Sequence, residues 1–209
     1  MLRYAITDRA RASVDEAERE ATLLRQAASL AESGIDFLQL REKDLQAQAL
    51  VSLARKLLSV LRSHSPAPKL LINSRADVAM VTGADGVHLT SANGSLTPAD
   101  IRKLYAAAGL PEPIISVSCH TLSEVAAAAR DSAATLILFG PVFEKRVGDD
   151  PISQGTGLNL LRMACAAAAP MPVLALGGVT PENTDSCLAA GAAGIAAIRL
   201  FLPPVHPHV

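Results

Sequence analysis

Two adjacent glycines, Gly177 and Gly178, close the apolar run LALGG, and Thr180-Pro181 follow almost at once. Residues without side chains let an anion approach backbone N–H groups closely, and a helix starting just beyond points more donors at it. Arg199, after Ile198 at the end of another apolar run, is a cation able to clamp a phosphate. The plainer use of the glycines is a tight strand-to-helix turn. Gln39, Arg41 and Lys43 alternate through LQLREK. Alternation sends them to one side of an extended chain, where the two cations hold a second anionic group or form a solvated rim. Asn73-Ser74-Arg75 end a third run and Ser118-Cys119-His120 a fourth. A histidine so placed suits proton transfer near neutral pH, or else serves as a cap or core residue. His88 lies inside an apolar run and reads as a satisfied core histidine, while His64, His206 and His208 read as surface or tail.

These residues need a scaffold that brings strand ends together. Eight short β-like runs recur, at 2–7, 35–41, 69–73, 86–89, 114–118, 135–140, 172–177 and 194–198. Helical patterns lie between most of them, for example at 14–33, 45–63, 121–131 and 157–168. Thr121 with Glu124 has capping-box spacing, and Thr97-Pro98 and Thr180-Pro181 each place an N-cap before a proline. Strands alternating with helices predict parallel β-structure, and eight of them in this length predict a (β/α)8 TIM barrel. In such a barrel the C-terminal strand ends carry function, and a phosphate often sits beyond strands seven and eight. After GIAAI the chain has RLFLPPVHPHV and nothing more, so the final helix is expected to be short or missing. The seam is then closed by a partner subunit, which makes a homodimer plausible, or left partly open.

The 209 residues suit one domain, 1–209. Half are apolar but aromatics make up 3%, so the core must come from Ala, Leu, Val and Ile. A net charge of −1 with interleaved signs offers no basic stripe for nucleic acid. Cys119, Cys165 and Cys187 are far apart and odd in number, which reads as reduced and cytoplasmic. The N-terminus lacks a signal-peptide core, and the uncharged stretch after Met163 is broken by Pro170 and Pro172, so no membrane span is expected. No Lys stands inside LILFG or IISVS, and Lys69 begins its strand, which argues against a Schiff-base aldolase.

The pieces YAITDR, FLQLREKD, LLINSRADVA, GADGVHL, SVSCHTLSEV, LFGPVF, LALGGVTPEN and AAGAAGIAAI occur in one order from residue 4 to about 198. In that order and spacing the chain resembles the thiamine-phosphate synthase and thiazole tautomerase superfamily. The resemblance implies a phosphate-binding barrel. It implies that Gln39, Arg41, Lys43, Asn73 and Ser118 face a pyrimidine diphosphate, and that Gly177, Gly178, Ile198 and Arg199 hold a thiazole phosphate. Synthases of this kind use Mg²⁺ as pyrophosphate leaves.

Departures from the pattern shape the expected activity. Ser74 and Asn93 occupy the usual Mg²⁺-ligand positions, where the family has acidic residues, and neither suits a hard dication well. The loop after GPVF reads Glu144-Lys145-Arg146-Val147-Gly148, with its Lys off the family spacing, and Arg199 stands where synthases have Ser. The run VHLTSANGSLTPADIR resembles the tautomerase branch. The expectation is therefore a cytoplasmic, metal-independent thiazole tautomerase that aromatises a thiazole phosphate carboxylate, with His120 as proton shuttle and no cofactor. The alternatives are a thiamine-phosphate synthase, with Mg²⁺, and a non-catalytic barrel that binds the phosphorylated ligand.

Overall fold

The structure, a computed structural model, describes residues 1–11, 15–90, 96–147 and 150–202, with side chains from 145 to 153 left out of the description. Its strands are β1 (Leu2–Ile6), β2 (Phe37–Leu40), β3 (Lys69–Asn73), β4 (Gly86–Leu89), β5 (Ile114–Cys119), β6 (Leu136–Phe139), β7 (Lys145–Val147), β8 (Asp150–Ser153), β9 (Val173–Leu176) and β10 (Gly194–Ala197). Its helices are α1 (Glu16–Glu32), α2 (Ala47–Arg62), α3 (Ala76–Thr82), α4 (Pro98–Ala107), α5 (Leu122–Asp131), α6 (Gly157–Ala168) and α7 (Pro181–Ala189). Eight parallel strands close in the order β1-β10-β9-β6-β5-β4-β3-β2. This is the expected TIM barrel.

Local chemistry explains the elements. In α2 the residues Leu50, Leu53, Ala54, Leu57, Leu58 and Leu61 repeat at three- and four-residue spacing and are all buried. Reciprocal capping boxes start α4 (Thr97 with Asp100), α5 (Thr121 with Glu124) and α7 (Thr180 with Asn183). The strands alternate between two apolar layers. Tyr4, Ile6, Leu71, Leu136, Leu138, Leu174 and Ala196 fill the barrel interior, while residues such as Ala5, Leu38, Leu70, Ile72, Ile137 and Ile195 pack under the helices.

The seam differs from one expectation. It is not left partly open, because β1 pairs with β10 as well as with β2, from Leu2↔Gly194 to Ala5↔Ala197. A Cβ on Gly194 would lie 2.0 Å from the Leu2 carbonyl oxygen, so glycine permits this closure. In place of an eighth helix the described chain ends in a turn in which the Leu202 N–H donates to the Ile198 carbonyl at 2.8 Å. Leu202 is buried, and the Arg3 guanidinium stacks 5.5 Å over the Phe201 ring. The strand ladder thus closes within one chain. The antiparallel β7–β8 hairpin between β6 and α6 was not legible as strands. The three cysteines are free, and no helix among the described residues is long and apolar enough to cross a membrane.

Candidate active site

The C-terminal ends of β1 and β2 are tied by a buried polar knot. Glu42 accepts the Thr7 hydroxyl at 2.5 Å and the Arg9 backbone N–H at 3.2 Å. Thr7 Oγ1 in turn accepts the Arg41 N–H at 2.9 Å. The Arg9 side chain, 2% exposed, lies 3.6 Å from Glu42 and 2.6 Å from Asp44, and also reaches Glu16. Burial pushes the Glu42 carboxyl up to about 7, against the pull of the Thr7 hydroxyl, the Arg9 N–H and the Arg9 charge. β2 ends at Leu40, and beyond it Glu42 and Asp44 both reach this knot. Arg41 is half-buried and Lys43 exposed. Sequence reasoning missed Thr7, Arg9 and Glu42, although an acidic residue between the two cations Arg41 and Lys43 was a usable signal.

Beside them, Gln39 Nε2 donates to Asn73 Oδ1 at 2.8 Å, and Asn73 Nδ2 donates to Ser74 Oγ at 3.3 Å. Gln39 is 1% exposed, and its Oε1 has no partner among the described residues. A buried acceptor left bare favours a ligand that brings an N–H or O–H. His88 is the satisfied core histidine expected: Nδ1 lies 2.8 Å from Ser116 Oγ and Nε2 lies 3.0 Å from Ser118 Oγ. Burial and then the Arg41 charge push its pKa down to about 3, so the ring is neutral. Ser118, half-buried, stands at the outer end of this row.

His120 is exposed at the end of β5. Its Nδ1 bonds the Gly140 carbonyl beyond β6, and its backbone N–H donates to Glu124. Nδ1 therefore donates, and Nε2 has no partner among the described residues. Further round, β9 and β10 are neighbours, with Leu176 beside Ala196, so Gly177-Gly178 and Ile198-Arg199 emerge side by side. Both glycines have positive φ, 92° and 65°. A Cβ on Gly177 would sit 2.7 Å from Pro141 Cα, and one on Gly178 2.7 Å from Phe143 Cβ. Turn geometry and packing thus demand glycine here, as the plainer reading held. The phosphate use is compatible with this, because among the described residues no acceptor takes the Gly178 and Val179 N–H groups. Asn183 steadies the turn through Nδ2 to the Gly178 carbonyl at 3.0 Å and Oδ1 from the Thr180 N–H at 2.9 Å. Ile198 packs on the interior cluster, so it offers the cup backbone rather than side chain, whereas Arg199 is exposed.

The described residues do not fit a Mg²⁺ ion. Ser74 stands at the end of β3 in the left-handed conformation (φ 56°), and its hydroxyl is already paired with Asn73. Asp77, the next carboxylate along, is clamped by Arg75 at 2.9 and 2.6 Å, which holds it below the usual carboxylate range. Among the described residues no group of three His, Cys, Asp or Glu could hold a metal. Asn93 lies outside the described residues.

Comparison with known proteins places this geometry. The family model described as thiamine monophosphate synthase matches residues 3–201. A putative thiamine-phosphate synthase of Geobacter sulfurreducens is 36% identical over 207 residues, covering 98% of this chain and 88% of its own. Putative thiamine-phosphate synthase 2 of Aquifex aeolicus is 34% identical, over 95% of this chain and 96% of its own. The solved thiamine phosphate pyrophosphorylase of Pyrococcus furiosus superposes with a TM-score of 0.75 at 25% identity, over 95% of this chain and 85% of its own. These synthase names overturn the expectation of a thiazole tautomerase. That expectation weighed Ser74, Asn93, His120 and the likeness of VHLTSANGSLTPADIR to the tautomerase branch above the match along the whole chain. The chain belongs to the thiamine monophosphate synthase family.

Proposed function

We propose that this chain is a thiamine-phosphate synthase, joining a hydroxymethylpyrimidine diphosphate to a thiazole phosphate. The observation that carries the reading is the row Gln39, Arg41, Lys43: a bare buried acceptor followed by two cations. An aminopyrimidine would give an N–H to Gln39 Oε1, and its diphosphate would lie along Arg41 and Lys43 with Asn73 and Ser118 alongside. The cup of Gly177, Gly178, Arg199 and the Ile198 backbone takes the thiazole phosphate. Three strand positions round the barrel separate β2 from β9, so the two subsites proposed lie on different sides of one barrel end.

In the reaction the thiazole nitrogen attacks the pyrimidine methylene carbon. A C–N bond forms, the C–O bond to diphosphate breaks, and its electrons leave with the diphosphate. The residues' task is to orient the two halves and to stabilise charge on the leaving group, a task that the charges of Arg41 and Lys43 suit. No proton leaves carbon, so His120 has none to shuttle; its open Nε2 is a hydrogen-bonding group at the rim. The test mixes both substrates with the purified chain, once with Mg²⁺ and once with EDTA, and measures thiamine phosphate and diphosphate. Equal amounts of the two products in either arm support the reading. No product in both arms overturns it.

A further inference from the structure

The barrel interior holds a row of four polar side chains in an apolar setting. Tyr4 Oη lies 2.9 Å from Ser116 Oγ. Ser116 Oγ lies 2.8 Å from His88 Nδ1, and His88 Nε2 lies 3.0 Å from Ser118 Oγ. Tyr4 and Ser116 are fully buried, at 0% exposure, and His88 is 3% exposed. The inner end is blind: Tyr4 packs among Ile6, Leu71, Leu136, Leu138, Leu174 and Ala196, none of which offers a side-chain acceptor. The outer end is Ser118, half-buried at the mouth.

A row with one blind end can be satisfied in one direction. If Ser118 donated to Nε2, the proton would sit on Nδ1, Nδ1–H would donate to Ser116, and Ser116 would donate to Tyr4. The Tyr4 O–H would then have no acceptor inside an apolar cluster. In the opposite sense every hydrogen is used: Tyr4 donates to Ser116, Ser116 to Nδ1, and Nε2–H to Ser118. A bare buried donor is disfavoured by roughly tenfold or more, so the second arrangement dominates. Ser118 then spends an acceptor lone pair inward, and its own hydrogen is left for the mouth.

We infer that Tyr4, Ser116 and His88 are positioning residues: their hydrogen-bond row locks His88 as the Nε2–H tautomer and so leaves the Ser118 hydrogen free to donate to an anionic oxygen of the ligand at the mouth. Naming that oxygen as a diphosphate oxygen rests on the synthase reading; the direction of the row does not. Ser118 in this arrangement is not a base-activated nucleophile, because its histidine neighbour gives it a proton and accepts none.

The test has two parts. Nitrogen-15 NMR of the histidine-labelled chain reports which ring nitrogen of His88 carries the proton, with assignment by His88→Gln. The inference expects Nε2–H alone in the wild type and a mixture of tautomers in Ser116→Ala, where Nδ1 loses its donor. Titration with inorganic pyrophosphate should then show about tenfold weaker binding in Ser118→Ala, since a hydrogen bond to a charged group is lost. Ser116→Ala leaves the buried Tyr4 hydroxyl without its acceptor and should lower the melting temperature; assayed well below that temperature, it should weaken binding about threefold although Ser116 does not reach the mouth, while Ser118→Thr, which keeps the hydroxyl, should bind like wild type. A wild-type Nδ1–H tautomer overturns the direction of the row. Unchanged pyrophosphate binding in Ser118→Ala overturns its purpose. A wild-type chain with the Nε2–H tautomer that binds no pyrophosphate overturns the diphosphate assignment and the synthase reading with it, while the direction stands.

Discussion

Glu42 gives the sharpest test of how the strand-two cations are held. The carboxyl is 7% exposed and accepts the Thr7 hydroxyl and the Arg9 N–H. Glu42→Ala strands both buried donors, at about 1–3 kcal/mol for each donor left bare, so a loss of about 3 kcal/mol is expected. Arg9 keeps Asp44 and Glu16, which limits the further cost. Glu42→Gln keeps an acceptor and drops the charge. Its effect depends on pH, and the sign follows from burial. Because the folded carboxyl sits at about 7, above its ordinary 4.5, this group's stabilisation is complete below pH 4.5 and is lost as pH rises through 7. Glutamine does not titrate. Between pH 5 and pH 8 the stability difference should therefore move in favour of Glu42→Gln by about 2 kcal/mol. Urea unfolding at several pH values measures both effects. Parallel pH profiles for wild type and Glu42→Gln, or a Glu42→Ala chain within about 1 kcal/mol of wild type, would refute the reasoning.

Other expectations follow from the same geometry. Arg41→Ala and Lys43→Ala should each raise the KM for the pyrimidine diphosphate at least tenfold and leave the KM for thiazole phosphate within about threefold, in steady-state kinetics. Gly178→Ala puts a Cβ 2.7 Å from Phe143 Cβ at a φ of 65°, so the turn should lose about 1–3 kcal/mol and thiazole phosphate should bind more weakly, by denaturation and by titration. His120→Ala should leave condensation within about fivefold of wild type, because no proton transfer depends on it; a loss of orders of magnitude would restore the histidine to the chemistry.

The barrel was legible because eight apolar runs alternate with capped helices, and because Thr97, Thr121 and Thr180 announce helix starts that the structure keeps. The strand-end residues were legible for the same reason: once β9 and β10 are neighbours, Gly177-Gly178 must emerge beside Arg199. The knot of Thr7, Arg9 and Glu42 was harder to see, since it joins residues more than thirty apart in the chain. The row from Tyr4 to Ser118 was hidden for a similar reason. Tyr4, His88 and Ser116 each look like an ordinary inward position, and the β4–β5 register, His88 opposite Ser116, is what joins them. The activity was misjudged because local departures, Ser74, Asn93 and the run VHLTSANGSLTPADIR, together with the placement of His120, were given the weight of a change of reaction. The β7–β8 hairpin carries no alternating apolar pattern, with Lys145, Arg146 and Asp150 among its residues.

The central claim is that one mouth holds two anionic ligands at once, one along β2 and one in the cup beyond β9 and β10. Calorimetric titration of thiazole phosphate into the chain saturated with an uncleavable pyrimidine diphosphate analogue tests it directly. The account predicts one equivalent of each ligand bound together, with thiazole phosphate affinity within about threefold of its value alone, a shift below about 1 kcal/mol. Mutual exclusion, each ligand displacing the other from a single subsite, would contradict it.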